Sequence, residues 1–296
     1  MNYNYYVCDK TSPQNHIFDL TEIEFIELEG LYQTFSKFSN IVDCYYNFII
    51  SAQDLIDLID FISSPDCNKD NNDEIIKIYP HLKYRFVSNV IFGRLLFDNY
   101  KNFCKQLQNP KFNALKKKYN RNESFKMMKL LRDYSIHYSL AITGLTRSIS
   151  FTKNFDKLSI YVEKRDLEKN YGANCENDQF LKTIDHDKIL LIDEFYKWRD
   201  AVEEFYSEVL EAYVESITEK QQKLFYKNFK YRNGLPNFVK PKLFIPDSIH
   251  MTLPQNNNPV ELDGNKYVES KTIKFYPFNT TALEEIIKVL NVKLKK

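Results

Sequence analysis

Hydrophobic residues recur every three or four positions in four long segments, the spacing that places apolar side chains on one face of a helix. The segments are residues 41–62, 86–107, 127–141 and 191–212, and the last continues to about residue 229. Gly93 lies within the second stripe, where a missing side chain would allow another helix to approach closely. Four such stripes predict a mainly α fold built as a helical bundle.

Shorter patterns separate and follow these helices. Residues 143–153 and 158–164 alternate as in a β-hairpin, and residues 170–178 form a polar stretch that predicts a loop. Residues 23–28 fit a strand or a helix equally. We therefore expect a helical domain over residues 1–236, with an N-terminal extension and a β insertion near residues 143–164.

The pattern changes after residue 236. Several prolines punctuate short apolar runs at residues 242–245 and 267–275, which predict strands, and residues 281–290 predict a final helix. Thr280 or Asn279 would cap that helix at its N-terminus. Residues 237–296 are accordingly predicted to form a small α+β segment.

Composition narrows the possible functions. The chain has 296 residues, and its 41 Lys and Arg nearly cancel its 40 Asp and Glu, so overall charge does not indicate a general nucleic-acid binder. The six glycines never approach the spacing of a dinucleotide or phosphate-binding loop, and the five cysteines never form C-x-x-C. The sequence predicts no metal and no cofactor.

The sequence predicts neither a membrane-spanning segment nor a signal peptide. No apolar run approaches the roughly 20 residues that span a bilayer. The first residues lack the basic and apolar regions of a signal peptide. We therefore expect a cytoplasmic protein without a membrane partner.

Basic residues concentrate in and just before the third segment. Between residues 111 and 132 they are opposed only by Glu123. The candidates for contact with RNA are Lys116, Lys117, Lys118, Arg121, Lys126 and Lys129. A polyanion would be attracted to such a surface, although an ordinary solvated helix face has the same composition.

Arg132, Asp133 and His137 follow in the same segment with the spacing R-x-x-x-x-H. Arginine presents a planar fork that suits phosphate oxygens, and histidine exchanges a proton near neutral pH. Asp133 lies four residues before His137, so its carboxylate could orient the imidazole on one helix face. These side chains could cleave RNA without a metal, or they could simply form a solvated helix face.

The run from Leu130 to His137 resembles the R-x(4–6)-H motif of the HEPN (higher eukaryotes and prokaryotes nucleotide-binding) family, in the branch found in bacterial and phage defence systems. The similarity is specific over residues 120–142. Asn is commoner than Asp at position 133 in that family. Ser139 occupies the position where some members carry a tyrosine that is a target for nucleotide modification.

The resemblance implies a HEPN-like helical bundle and a metal-independent endoribonuclease that acts as a toxin or antiviral defence effector. Arg132, His137 and Asp133 would be catalytic, and the products would carry a 2′,3′-cyclic phosphate and a 5′-hydroxyl. RNA would be the substrate, and an antitoxin or defence-system protein could be a partner. The alternative is a non-catalytic HEPN-like module that binds a nucleotide or RNA in a defence or signalling complex.

The spacing of the motif bears on oligomeric state. Five residues correspond to about 140° around a helix, so one straight helix does not direct Arg132 and His137 at one phosphate. Either the helix is distorted near Ser135, or the site combines residues from two chains. The resemblance favours a homodimer, because HEPN nucleases typically form a composite site at a two-fold interface. Leu130, Ile136 and Leu140 would supply its apolar seam.

Overall fold

A computed structural model describes residues 5–8, 16–64, 67, 72–150, 155–230, 237–239 and 280–294. The longer helices within these ranges are α1 (Glu22–Ser63), α2 (Asn72–Leu107), α3 (Pro110–Arg121), α4 (Glu123–His137), α7 (Leu191–Ser216), α8 (Glu219–Lys230) and α9 (Thr280–Leu294). Two short helices are α5 (Lys164–Leu167) and α6 (Cys175–Lys182), and a 3-10 turn spans Glu168–Asn170. The strands are β1 (Tyr5–Cys8), β2 (His16–Leu20), β3 (Gly144–Ser150), β4 (Phe155–Glu163), β5 (Lys188–Leu190) and β6 (Asn237–Val239).

The chain divides into two compact units. The central unit comprises residues 40–213, and the terminal unit joins residues 1–39 with residues 214–296. In the terminal unit β6 pairs antiparallel with β1, which groups residues 237–239 with the N-terminus. This division does not coincide with the predicted boundary at residue 236. The strands predicted at residues 242–245 and 267–275 lie outside the described residues.

The mainly α fold and its β-hairpin insertion are confirmed. The stripes over residues 41–62, 86–107 and 191–212 lie within α1, α2 and α7, and nearly all their apolar side chains are buried. β3 and β4 form the predicted hairpin, with Gly144 opposite Tyr161, and β5 adds a third antiparallel strand. In the central unit α4 packs against α2, α3 and α6.

Capping residues explain where several helices begin. The Thr21 hydroxyl accepts a bond from the Glu24 N–H at 3.2 Å, and the Glu24 carboxylate accepts from the Thr21 N–H at 2.9 Å. Thr218 and Gln221 form the same reciprocal pair. Residues 23–28 are therefore helical, and the helix predicted to continue to residue 229 is interrupted between α7 and α8. Residues 281–290 are helical as predicted, within α9.

Aromatic rings fill the core of the central unit. Phe125 of α4 lies 4.7 Å from Trp198 of α7 and 4.9 Å from Phe97 of α2, measured between ring centres. Phe205 packs edge-on against Phe97 at 5.4 Å. Gly93 faces this cluster, and a Cβ at that position would overlap the Trp198 indole. The close approach predicted for Gly93 is confirmed.

We predict that Gly93→Ala destabilises the central unit. The new methyl group forces the Trp198 ring to shift, and overpacking a core typically costs about 1–3 kcal/mol. The better helix propensity of alanine offsets up to about 1 kcal/mol of this. Urea unfolding followed by tryptophan fluorescence should therefore show a lower midpoint.

Gly30→Ala is the matched control, because Gly30 is exposed in α1 and a Cβ there meets nothing within 4 Å. That variant should be as stable as the wild type or more stable. Equal midpoints for Gly93→Ala and the wild-type protein would contradict the packing argument.

Candidate functional site

Helix α4 carries the motif and is fixed at both ends. The Asn122 side chain caps its start by accepting a bond from the Phe125 N–H at 3.2 Å. At the other end Tyr138 leaves helical geometry (φ −132°, ψ −69°), so His137 is the last helical residue. The Ser135 hydroxyl then accepts from the Ala141 N–H at 3.2 Å, which turns the chain towards β3. The helix is unbroken at Ser135, so the distortion considered there is not present.

Arg132 is held by two carboxylates. Its Nε and Nη2 donate to Asp133 Oδ1 at 2.9 and 2.7 Å, and its Nη1 donates to Asp98 Oδ2 at 2.9 Å. The side chain is 25% exposed. Burial by itself lowers the pKa of Arg132, but these ion pairs outweigh it and raise the pKa above its ordinary value. The guanidinium is therefore fixed in direction, and each terminal nitrogen keeps a second N–H for a ligand.

Asp133 is buried, and both of its carboxylate oxygens accept hydrogen bonds. Besides Arg132, it accepts from Asn177 Nδ2 at 2.8 Å and more weakly from Asn174 Nδ2 at 3.5 Å. Asn177 is itself buried in α6. Because a buried carboxylate needs charged or hydrogen-bonding partners, Asp133 ties α4 to α6.

Asp98 connects Arg132 to two further cations, of which one, Arg94, is buried. It forms ion pairs with Arg94 at 3.5 Å and with Lys101 at 3.1 Å. Burial would raise the pKa of Asp98, but the basic side chains around it hold the pKa below its ordinary value. Burial lowers the pKa of Arg94, whose residue is 2% exposed. Three cations and two carboxylates thus alternate in one network, with an excess of positive charge.

A surface pocket of about 340 Å³ lies beside this network. Its lining residues are Arg132, Asp133, His137, Asn170, Ala173 and Asn174. The opposite wall is the segment 170–174, in which Gly172 has φ +88° and donates its N–H to Asp178 Oδ2 at 3.0 Å. Asn174 also caps α6 by accepting from the Glu176 N–H at 3.1 Å.

Arg132 and His137 therefore line one pocket of a single chain, although they lie five residues apart. The reason lies with Asp133 between them. Side chains in a helix lean towards its N-terminus, which places His137 over the position of Asp133, while the long Arg132 side chain folds back onto the same carboxylate. One unbroken helix therefore presents both side chains to the same pocket.

His137 does not make the contact with Asp133 that the sequence predicted. It is exposed, and within the described part of the chain it forms neither a hydrogen bond nor an ion pair. The expected bond from Asp133 is not formed, because both carboxylate oxygens are occupied by Arg132 and Asn177. The imidazole is left available to a ligand in the pocket.

The basic residues proposed to contact RNA have different surroundings. Lys118 pairs with Glu204 and Glu208 of α7 at 3.0 and 2.5 Å, which raises its pKa and fastens α3 to α7. Lys116 donates to Asn113 within α3. Lys117 and Arg121 are exposed.

The two basic residues of α4 lie next to α6. Lys129 pairs with Glu176 at 2.5 Å, and Lys126 lies 5.8 Å from the centre of the Phe180 ring. Of the six candidates, these two lie against the helix that Asn174 caps at the pocket wall. The sequence did not predict the residues that surround Arg132 and Asp133, namely Arg94, Asp98, Asn170, Asn174 and Asn177.

The apolar seam predicted beside the motif needs one correction. Leu130 is 3% exposed and belongs to the core, whereas Ile136 and Leu140 are 58% and 44% exposed. Tyr138, expected in the core stripe, is also exposed, because the helix ends before it. Leu131 and Tyr134 are buried as expected.

No protein-family model matches this chain, and neither a curated protein nor a solved structure shows significant similarity to it.

Within the described ranges, no helix is both long and apolar enough to cross a membrane. The same ranges contain no group of three or more His, Cys, Asp or Glu side chains suited to hold a metal ion.

We predict that Asp98→Asn destabilises the protein in a pH-dependent way. Because the pKa of Asp98 is lowered in the folded state, its ion pairs stabilise the fold above the ordinary aspartate pKa of about 3.9. That contribution is lost as the pH falls through the lowered value. Urea midpoints should thus be lower for the variant at pH 7 and converge with the wild type below about pH 4.

Asp200→Asn provides the control, since Asp200 pairs with Arg199 while its side chain is 65% exposed. It should barely alter the midpoint at either pH. If Asp98→Asn lowered the urea midpoint equally at both pH values, the loss of stability would come from packing and not from charge.

Proposed function

We propose that this protein is a HEPN-like, metal-independent endoribonuclease that acts as a toxin or phage-defence effector. The observation that carries the proposal is the pocket in which Arg132, Asp133 and His137 meet. The toxin or defence role is supported by the resemblance of the motif to that branch of the family. The pocket supports the chemistry.

In the proposed reaction the unpaired imidazole of His137 takes the proton of an RNA 2′-hydroxyl. The 2′-oxygen attacks the adjacent phosphorus, and the bond to the 5′-oxygen breaks. The departing oxygen takes a proton from a water molecule, and the hydroxide that remains takes the proton held by His137, so the products are a 2′,3′-cyclic phosphate and a 5′-hydroxyl with the imidazole neutral again. Negative charge grows on the non-bridging oxygens during the attack, and the remaining N–H groups of Arg132 would stabilise it.

The role of Asp133 in this proposal is to position Arg132. Its Oδ1 accepts hydrogen bonds from both Nε and Nη2 of Arg132, and together with the bond from Nη1 to Asp98 these fix the plane of the guanidinium. Asn177 holds the other carboxylate oxygen, so the fork is positioned from α6 as well as from α4. A preorganised charge of this kind needs no rearrangement when the transition state forms.

One observation favours the second candidate, a non-catalytic HEPN-like module that binds a nucleotide or RNA. No protein group fixes the tautomer of His137 within the described residues, whereas the Asn170 and Asn174 amides line the pocket. Amides that donate and accept hydrogen bonds suit the recognition of a nucleotide. In this candidate the same residues bind without turnover.

Cleavage of a labelled RNA in EDTA separates the two candidates. We predict that the purified protein cuts the RNA and that His137→Ala abolishes the cut. The stability of this variant should be nearly unchanged, because the side chain is exposed and unpaired. Arg132→Lys should also lose most activity, since a lysine keeps the charge but lacks the planar fork.

Arg132→Ala is a poorer probe, because it leaves the buried Asp133 without its cation and should destabilise the fold. His81→Ala and Arg199→Lys are matched controls on α2 and α7, and both should cleave normally. Binding of the RNA without any cleavage by the wild type would favour the binding module. Full cleavage by His137→Ala would rule out the assigned base.

A homodimer remains part of the proposal, with Ile136 and Leu140 as its exposed apolar surface. Since Arg132 and His137 of one chain share a pocket, we now assign a complete pair to each protomer. Mixing Arg132→Lys with His137→Ala chains under exchange conditions should therefore leave the mixture inactive. Sedimentation of labelled chains must first demonstrate that heterodimers form. Recovery of activity would restore the two-chain site expected from the sequence.

A further inference from the structure

Two exposed tyrosines each lie next in the chain to a residue that lines the pocket. Tyr138 directly follows His137 and is 56% exposed, and Tyr171 directly follows Asn170 and is 44% exposed. Neither tyrosine lines the pocket, and neither has a role in the reaction proposed above. An aromatic ring exposed to this extent beside a polar pocket is suited to stack on a planar ligand.

Each ring is supported by the protein. Tyr138 lies against the buried ring of Tyr134, with 5.4 Å between ring centres and a tilt of 30°. The Tyr171 hydroxyl donates to the Asp178 carbonyl at 3.3 Å, and Lys182 Nζ lies 5.7 Å from the centre of its ring. Both rings are therefore held in place while much of their surface is open to solvent.

Charge around the rings favours an anionic chain over a protein surface. Lys182 lies over Tyr171 and Lys126 over Phe180, and within the described residues neither lysine forms an ion pair. The network beside the pocket pairs three cations, Arg94, Lys101 and Arg132, with only two carboxylates, those of Asp98 and Asp133, and so keeps an excess of positive charge. Aromatic rings beside a basic track are how proteins hold single-stranded nucleic acid.

We infer that the pocket takes single-stranded RNA, with bases next to the bound phosphate unstacked and seated on Tyr138 and Tyr171. This inference rests on the proposed function, because it places the phosphate that Arg132 and His137 would act on. It adds the two side chains that would hold the bases, and these favour single strands because bases paired in a duplex are stacked on their neighbours and cannot reach the rings. Stacking tolerates every base, so the two rings would select for single strands and not for sequence.

Binding can be measured apart from cleavage with an oligonucleotide that carries 2′-O-methyl groups and so cannot be cut by the proposed reaction. Fluorescence anisotropy should give tighter binding for the labelled single strand than for its duplex. Tyr138→Leu and Tyr171→Leu should each weaken single-strand binding about tenfold, the typical effect of losing one stacked base. Tyr138→Phe and Tyr171→Phe should bind like the wild type, because the ring remains.

Tyr84→Leu is the control for loss of an exposed tyrosine, since Tyr84 is 70% exposed on α2 and outside the pocket. Unchanged affinity in both leucine variants, or equal binding of single strand and duplex, would overturn the inference. If the two leucine variants sediment differently from the wild type but bind RNA equally well, the inference is also overturned, and the rings belong to a protein interface. The proposed function fails on a different result, namely absence of cleavage of unmodified RNA by the wild-type protein.

Discussion

The need to satisfy one buried carboxylate organises the central unit. Asp133 is 8% exposed and would be costly to bury alone, so it must draw in a cation and amide donors. Arg132 comes from its own helix, Asn177 comes from α6, and Asp98 of α2 completes the pairing of the arginine. Three helices are thereby fixed relative to one another by polar contacts, next to a core that aromatic rings fill. The pocket lies where these contacts reach the surface.

The same contacts give the pocket its chemical character. An arginine in water would sample many directions, whereas Arg132 is directed by two carboxylates that still leave some of its N–H groups unassigned. His137 has the opposite surroundings, with an exposed position at the end of α4 and no partner among the described residues. One group is therefore fixed and charged, and the other is exposed and open to a ligand. This division of roles supports phosphate chemistry more strongly than the spacing of the motif does.

Much of the fold followed from the sequence, because long apolar stripes such as Phe86 to Cys104 have only one face to bury. The candidate residues were also found, since arginine and histidine at that spacing are visible in the sequence. Their surroundings were not. Asp98 and Asn177 are far from the motif along the chain, and residues 175–178, the first half of α6, were predicted as loop because they belong to a polar stretch. The capping boxes Thr-x-x-Glu at residue 21 and Thr-x-x-Gln at residue 218 are also visible in the sequence, and they mark the starts of α1 and α8.

Helix α6 is short enough to open by itself while the rest of the central unit stays folded. Eight residues are too few for a helix to persist alone in water, so α6 is ordered by its contacts with α4 and by the Asn174 cap. Its amide hydrogens should exchange through a local opening that leaves the aromatic core intact. Asn174 belongs to both the cap and the pocket wall, so each opening of the helix would also dismantle that wall. A ligand held against that wall would then be released at a rate set in part by how often one short helix unwinds.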